Sequence, residues 1–324
     1  MKEIVFIRNG LKKWAQYETI ASSPEKHTAD ELADVYTDVT ADLAFAQTNY
    51  PKSDITTYLN NLTLSIHNLL YGVKKEKASR ILTFFTHEIP LTVYAERRNI
   101  IISLIIFTLC AIIGAVSTFY DHEFPRIILG DYYVDMSLSN IERGEPMDVY
   151  KSGSQISSFL GIMGNNIMVA SRTFIFGIFT SLGTAFFLYY NGVMLGAFQM
   201  FFINHNMFWQ SFLAIWLHGT LEISAIIIAG GAGITMGNGW LFPGTLPRFK
   251  SFVIAGRRGL KVMISTVPIF IVAAFVEGFF TRYTHASSFI RLSFILLCLC
   301  FVLFYYVFLP IARHREEKRK ESEK

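Results

Sequence analysis

The sequence predicts an all-α protein: a polytopic membrane helix bundle of about six transmembrane segments, preceded by an N-terminal cytoplasmic helical domain. Three observations carry that prediction. Of 324 residues, 52% are hydrophobic and only 17% charged, with 30 Phe and 15 Tyr, a mix that is rare in a water-soluble domain of this size. The charge is unevenly placed: residues 1–98 hold 12 of the 29 Lys+Arg and 12 of the 25 Asp+Glu. Beyond them lie long apolar runs with few ionisable groups, long enough to cross lipid.

The N-terminal elements read as helices. Ser23-Pro24 places a cap residue before a proline at a first helical position, and Thr28-Ala29-Asp30-Glu31 fits a capping box. Val35, Val39, Leu43 and Phe45-Ala46 recur at roughly helical spacing until Tyr50-Pro51 closes the segment. Ser53 caps the next helix, in which Tyr58, Leu62, Ile66 and Leu69-Leu70 recur every three to four residues. A basic stretch, Lys74-Lys75-Glu76-Lys77, follows. Residues 78–98 are amphipathic and are expected to lie along the inner membrane surface.

Residues 100–120 hold no charged residue, enough at about 1.5 Å per residue to cross a hydrocarbon layer of about 30 Å. The expected later crossings are 174–190, 193–203, 208–236, 262–280 and 292–311, with Asn191-Gly192 read as a turn and Thr281-Arg282 as a helix boundary. Residues 121–151 carry seven Asp/Glu against three Lys/Arg, and residues 238–261 carry five Lys/Arg and no acid. Excess Lys/Arg marks cytoplasmic loops, so both termini are expected inside and the acidic segment outside, in the cytoplasmic membrane of a cell. The expected divisions are a cytoplasmic helical domain at 1–98, a transmembrane domain at 99–311 with an acidic extracytoplasmic loop at 121–165, and a charged cytoplasmic tail at 312–324.

Several classes drop out. No basic stripe interleaved with aromatics points to nucleic acid. Cys110, Cys298 and Cys300 all lie in apolar runs, where neither a disulfide framework nor a Cys-rich metal site is expected, and the N-terminus does not read as a secretory signal. The glycine-rich stretch at 219–239 precedes no Lys-Ser/Thr and follows no strand, so it is not a phosphate-binding loop; close helix packing is its commoner use.

Ionisable groups at membrane depth cost on the order of 2.5–3.5 kcal/mol each, so they mark either function or a satisfied network. Arg172, His218, Glu222 and Glu277 are such groups. His218 and Glu222 are four residues apart and share one helix face. Together they fit a proton relay, an ion site or a hydrolytic centre, or else a buried pair that fixes helix register. A single His-x-x-x-Glu is a weak zinc signal, because the second His of the His-Glu-x-x-His pattern is missing, so no metal is assigned. Glu277 and Arg172 are each expected near the outer ends of their helices, where they could pair; the alternative is that Arg172 reaches out to headgroups.

The chain also resembles the stage II sporulation protein M family over essentially its whole length. The matching pieces begin with Trp14, Asp42-Leu43-Ala44, Tyr50-Pro51 and Tyr58-Leu59-Asn60, then Pro90 ahead of Arg97-Arg98. They continue with Asn165-Asn166, Asn191-Gly192-Val193-Met194-Leu195-Gly196 and His218-Gly219-Thr220-Leu221-Glu222. Gly230-Gly231-Ala232-Gly233, Pro243 with Arg248, and Glu277-Gly278 complete the pattern, which adds Asn166 and Asn191 to the intramembrane polar candidates. The resemblance implies a multi-pass cytoplasmic-membrane protein of a prokaryote whose namesake is a scaffold for peptidoglycan-degrading enzymes. The large N-terminal helical domain departs from the namesake, and no catalytic mechanism or cofactor is carried over.

Three functions are compatible with these residues. The leading one is a non-enzymatic scaffold or assembly factor that sits in the lipid bilayer, meets envelope (peptidoglycan-remodelling) proteins, and uses its polar intramembrane residues to hold the bundle or a homo-oligomer. The second is an ion-coupled small transporter using His218, Glu222 and Glu277. The third is an intramembrane metal-dependent hydrolase built on His218 and Glu222.

Overall fold

The computed structural model describes residues 2–23, 27–71, 79–144, 155–280 and 287–323. Every regular element among them is helical. Pro24, the basic stretch at 74–77 and the boundary expected at Thr281-Arg282 lie outside the described residues. The chain divides into two compact units, Met1–Arg80 and Ile81–Lys324.

The first unit is three helices: α1 (Glu3–Ser22), α2 (Ala29–Asn49) and α3 (Asp54–Tyr71). The capping box forms as expected: Thr28 accepts from the Glu31 amide, and the Glu31 carboxylate accepts from the Thr28 amide. The core is Trp14 with Val39, Leu43 and Ala46 of α2 and Leu59, Leu62 and Ile66 of α3. Trp14 is 1% exposed, and its indole N–H donates to Asp42 at 2.7 Å, which also pairs with Lys13 at 2.7 Å. One helical turn away, Tyr17 donates to Asp38. That hydrogen bond, and then the charge of Lys13, hold the Asp38 carboxyl below its ordinary value of 3.8. A depressed folded-state value stabilises the unit above that pH and ceases to do so as the pH falls through it. The protection factors of the α2 amides in the intact protein, with the intrinsic pH dependence of exchange divided out, should therefore fall on acidification below about pH 4, and Asp38→Asn should flatten that dependence.

The second unit begins within α4 (Ser79–Thr83), which is followed by a π turn (Phe84–Glu88) and α5 (Ile89–Tyr120). Residues 80–120 form one helical run, so the part of the 78–98 segment that is described continues into the apolar stretch as one helix rather than standing apart from it. The reason is local. Pro90 has no N–H for the Thr86 carbonyl, and the π turn sends the Ile89 amide to Phe84 instead of Phe85. Both freed carbonyls find donors: Tyr305 bonds to the Phe85 carbonyl at 2.8 Å and Arg313 to the Thr86 carbonyl at 3.1 Å. Glu88 and Glu96 pair with Lys261 and Arg258, at 2.9 and 3.1 Å. Residues 81–98 thus belong to the bundle, and the boundary expected at residue 98 falls at 80 instead.

After α5 come two short helices, α6 (Phe124–Leu129) and α7 (Asp131–Glu142), then α8 (Gln155–Ile175), a 3₁₀ turn (Phe176–Phe179) and α9 (Thr180–Asn204). The remaining elements are α10 (Phe208–Leu241), α11 (Arg248–Phe275) with a π turn (Val276–Phe280), and α12 (Ser288–Leu303). A third π turn (Phe304–Phe308) joins α12 to α13 (Leu309–Ser322). The charged tail is therefore helical to Ser322.

Among the described residues, five helical runs are long and apolar enough to cross a membrane: 80–120, 156–204, 208–241, 248–279 and 288–322. The second turns back on itself at Thr180, whose φ of +70° is one that a β-branched residue rarely adopts. Across that turn Thr184 donates to the Thr173 carbonyl at 3.0 Å. Contacts with α10 fix the directions. In α8, Asn166 meets Glu222 and Thr173 meets Gly233; in α9, Ser181 meets Asn238 and Gln199 meets Ser211. So α8 runs with α10 and α9 runs against it, and the five runs make six rods. The segments differ from those expected. Asn191-Gly192 is no turn but the interior of α9, and 174–190 and 193–203 are not separate crossings. The expected loop at 121–165 includes α6, α7 and the first half of α8.

Packing explains why Asn191-Gly192 stays helical. Gly192 and Gly196 face α5 so closely that an added Cβ would stand 2.7 Å from the Phe107 carbonyl and 1.9 Å from the Ala111 carbonyl. Gly114 returns the contact, 2.2 Å from the Val193 carbonyl. In lipid, where apolar surface gains little from leaving its solvent, such close backbone approach is what joins helices. The opposite face of α5 carries Ile101, Ile105, Leu109, Ile112 and Val116, all exposed. Apolar residues outward and polar residues inward is the arrangement lipid selects.

The bundle has a basic and an acidic end. At the basic end, Glu96 accepts from Asn99 (2.9 Å) and Thr235 (3.1 Å), Asn238 donates to Asn99 (3.0 Å), and Ser181 donates to Asn238 (2.7 Å). With Arg258 on Glu96, this polar layer ties α5, α9, α10 and α11 together. At the acidic end, Arg126 of α6 sits among Glu123, Asp131 and Asp135.

Candidate functional site

α10 is the most buried of the long helices, and on it His218 and Glu222 share one face. At about 1.5 Å per residue, His218 lies about 15 Å along α10 from its acidic-end start. Gly219, one of the three residues between them, borders the same space and keeps it open. A Cβ there would touch only Ile215 and Ile223 of its own helix, at 3.5 and 3.7 Å.

Glu277 arrives from α11. It belongs to the π turn that ends that helix, where the extra residue in the turn changes which side chains face the bundle. Its Oε2 lies 3.6 Å from His218 Nε2, and their side chains are 15% and 5% exposed. Asn166, from α8, donates its side-chain amide to Glu222. One donor atom from each of His218, Glu222 and Glu277 lies within 4.8 Å of the others, the only such cluster among the described residues.

The three side chains line a cavity of about 610 Å³. Asn166 and Asn191 are also on its wall, and Leu129 of α6 and Tyr133 of α7 border it from the acidic end. Asn191 donates to the Phe187 carbonyl within its own helix. Five of the six candidate residues therefore come to one place. Arg172 does not. It is exposed and follows Ser171 immediately before Thr173, whose carbonyl takes part in the basic-end turn, so α8 carries it away from Glu277. The expected pairing of Arg172 with Glu277 is replaced by His218 with Glu277. The local His-x-x-x-Glu pattern lacks a second histidine; the third donor is a carboxylate, supplied by a π turn that no local pattern announces. The basic-end layer built on Glu96 was also missed, although a glutamate beside Asn99 at a helix entrance is the kind of signal that could have found it.

The family model described as stage II sporulation protein M matches residues 103–282, more than half of the chain and all three clustered side chains. The chain belongs to that family. The match starts within α5 and ends beyond the π turn of Glu277, so the cavity lies in the part of the molecule that defines the family. A separate family model, described as a domain of unknown function (DUF8413), matches residues 4–72, the three-helix unit. No curated protein and no solved structure gives a match to the chain.

Proposed function

We propose that this integral membrane protein of the stage II sporulation protein M family is an ion-coupled carrier of a small polar or cationic solute. The observation that supports it is the cavity: a partly open pocket of about 610 Å³ bordered by one imidazole and two carboxylates. A polar cluster that served only to lock helices together would be closed over by side chains. Two carboxylates between apolar walls need a counter-charge, and a proton or a bound cation supplies it. Exchange of one for the other is the elementary step of coupling. The polar layer at the basic end ties α5, α9 and α10 together, and its hydrogen bonds are what a separation of these helices at that end must break. By the excess of Lys/Arg, that end is cytoplasmic.

Purified protein in liposomes should dissipate a pH gradient, followed with an entrapped dye, when a transported solute is added. Glu222→Gln keeps the acceptor for Asn166 and should abolish flux by at least tenfold while remaining monodisperse. Flux no greater than in protein-free vesicles, over a panel of small cations and zwitterions, would sink the carrier reading.

A second reading, a scaffold for envelope partners in the cytoplasmic membrane, is favoured by the acidic end itself. There Ile127 and Tyr132 are 74% and 82% exposed, apolar groups placed on an otherwise charged surface. Tyr132→Cys should react with a membrane-impermeant maleimide in intact cells, and a photo-crosslinker attached there should capture envelope proteins. Protection of that position in intact cells, with labelling only after lysis, would refute both the orientation and the scaffold.

A further inference from the structure

We infer that His218, Glu222 and Glu277 form a binding site for a divalent first-row metal ion. The inference rests on reading the cavity as a binding site and names the ligand class that the site takes. The donor set is one imidazole nitrogen and two carboxylate oxygens, drawn from two helices that face each other. Imidazole with carboxylates suits Zn²⁺, Mn²⁺, Fe²⁺ and Co²⁺; Mg²⁺ and Ca²⁺ prefer oxygen alone.

The spacing is compatible. Ligand atoms about 2.0–2.2 Å from one ion stand roughly 3–4 Å from each other. Here they lie within 4.8 Å of one another, and the imidazole–carboxylate pair is at 3.6 Å. Contraction by a few tenths of an ångström on each side closes the set, and a π turn at Glu277 is a compliant place to make it. The charge balance also favours a dication. A neutral imidazole and two ionised carboxylates make a double negative charge in an apolar bundle, and one M²⁺ cancels it.

Two further features belong to a metal centre. Asn166 hydrogen-bonds Glu222, the kind of outer contact that orients a ligating carboxylate. The cavity beside Gly219 leaves room at the fourth and later coordination positions for water or for an exchanging ligand. Three protein ligands with open positions suit an ion that must also leave, as in a carrier, better than a closed structural site.

The test is equilibrium binding to the intact chain in detergent or nanodiscs, stripped with chelator and then titrated with Co²⁺ and Zn²⁺. One Co²⁺ per chain should bind with visible d–d absorption, and Zn²⁺ should displace it. Glu222→Gln and Glu277→Gln, which preserve side-chain shape, should each weaken binding more than tenfold while eluting as the parent does. Asn166→Ala should weaken it about tenfold, in the range seen for outer-contact residues. No saturable one-to-one binding, or unchanged affinity in a folded Glu277→Gln, overturns the site. The outcomes separate from those of the flux assay. One-to-one binding without flux retains the metal site and removes the carrier; flux of other solutes in chelator, with no metal bound, does the reverse.

Discussion

Gly196→Leu is expected to abolish the folded bundle. A Cβ at Gly196 would sit 1.9 Å from the Ala111 carbonyl and 2.8 Å from the Ala115 amide, and neither is a side chain that can swing away. A leucine therefore forces α5 and α9 apart. That separation also undoes the neighbouring contacts at Gly114 and Gly192 and the hydrogen bond from Asn204 to the Thr118 carbonyl. Overpacking in a yielding core costs about 1–3 kcal/mol, and backbone pressed on backbone is at or above the upper end. The measurement is size-exclusion profile and yield from detergent, where the variant should give aggregate or no product. Gly219→Ala is the matched control: its new methyl meets side chains at ordinary contact distance, so the protein should fold. A monodisperse Gly196→Leu protein with the parent's melting midpoint would show that α5 and α9 are not in this register.

Trp14→Ala is expected to unfold the N-terminal unit. Truncating a fully buried tryptophan costs about 3–5 kcal/mol. Here the loss includes the indole hydrogen bond to Asp42, leaving Lys13 as that carboxylate's remaining close partner. A three-helix unit of this size has only a few kcal/mol of stability in total, so the change exceeds what it can absorb. Limited proteolysis of the intact variant should cut within residues 3–71 at rates well above those of the parent, while residues 81–323 stay resistant. Equal resistance of both forms would mean that Trp14 is not the centre of that core.

Much of this molecule could be read from its residues. The three N-terminal helices were legible because a capping box and apolar recurrence act locally. α5, α10 and α12 were legible because long apolar runs with very few charges have few other uses. α8 was not. Ser157, Ser158, Gly161, Gly164, Asn165 and Asn166 dilute its apolar pattern, and Asn166 finds its partner, Glu222, only on α10. Asn191-Gly192 misled for a related reason: turn chemistry holds in water, but within a bundle the glycine is a contact surface and the asparagine bonds its own helix. In the site, His218 and Glu222 follow from four-residue spacing on a helix. Their meeting with Glu277 depends on an inserted residue in a π turn, a tertiary accommodation rather than a local preference.

The turn at Thr180 has a consequence for how the chain enters lipid during synthesis. The run 156–204 is the least apolar of the five, and α8 contributes its asparagines and Arg172 to that run. A segment of this kind gains too little to partition alone. The strongly apolar α9 follows after only a four-residue 3₁₀ turn, and Thr184 closes onto Thr173 across it. Pairing of α8 with α9 across this turn is expected to offset that deficit. The partner of Asn166 lies later still, on α10, so the α8 wall of the cavity is expected to be complete only once Glu222 has followed into the membrane.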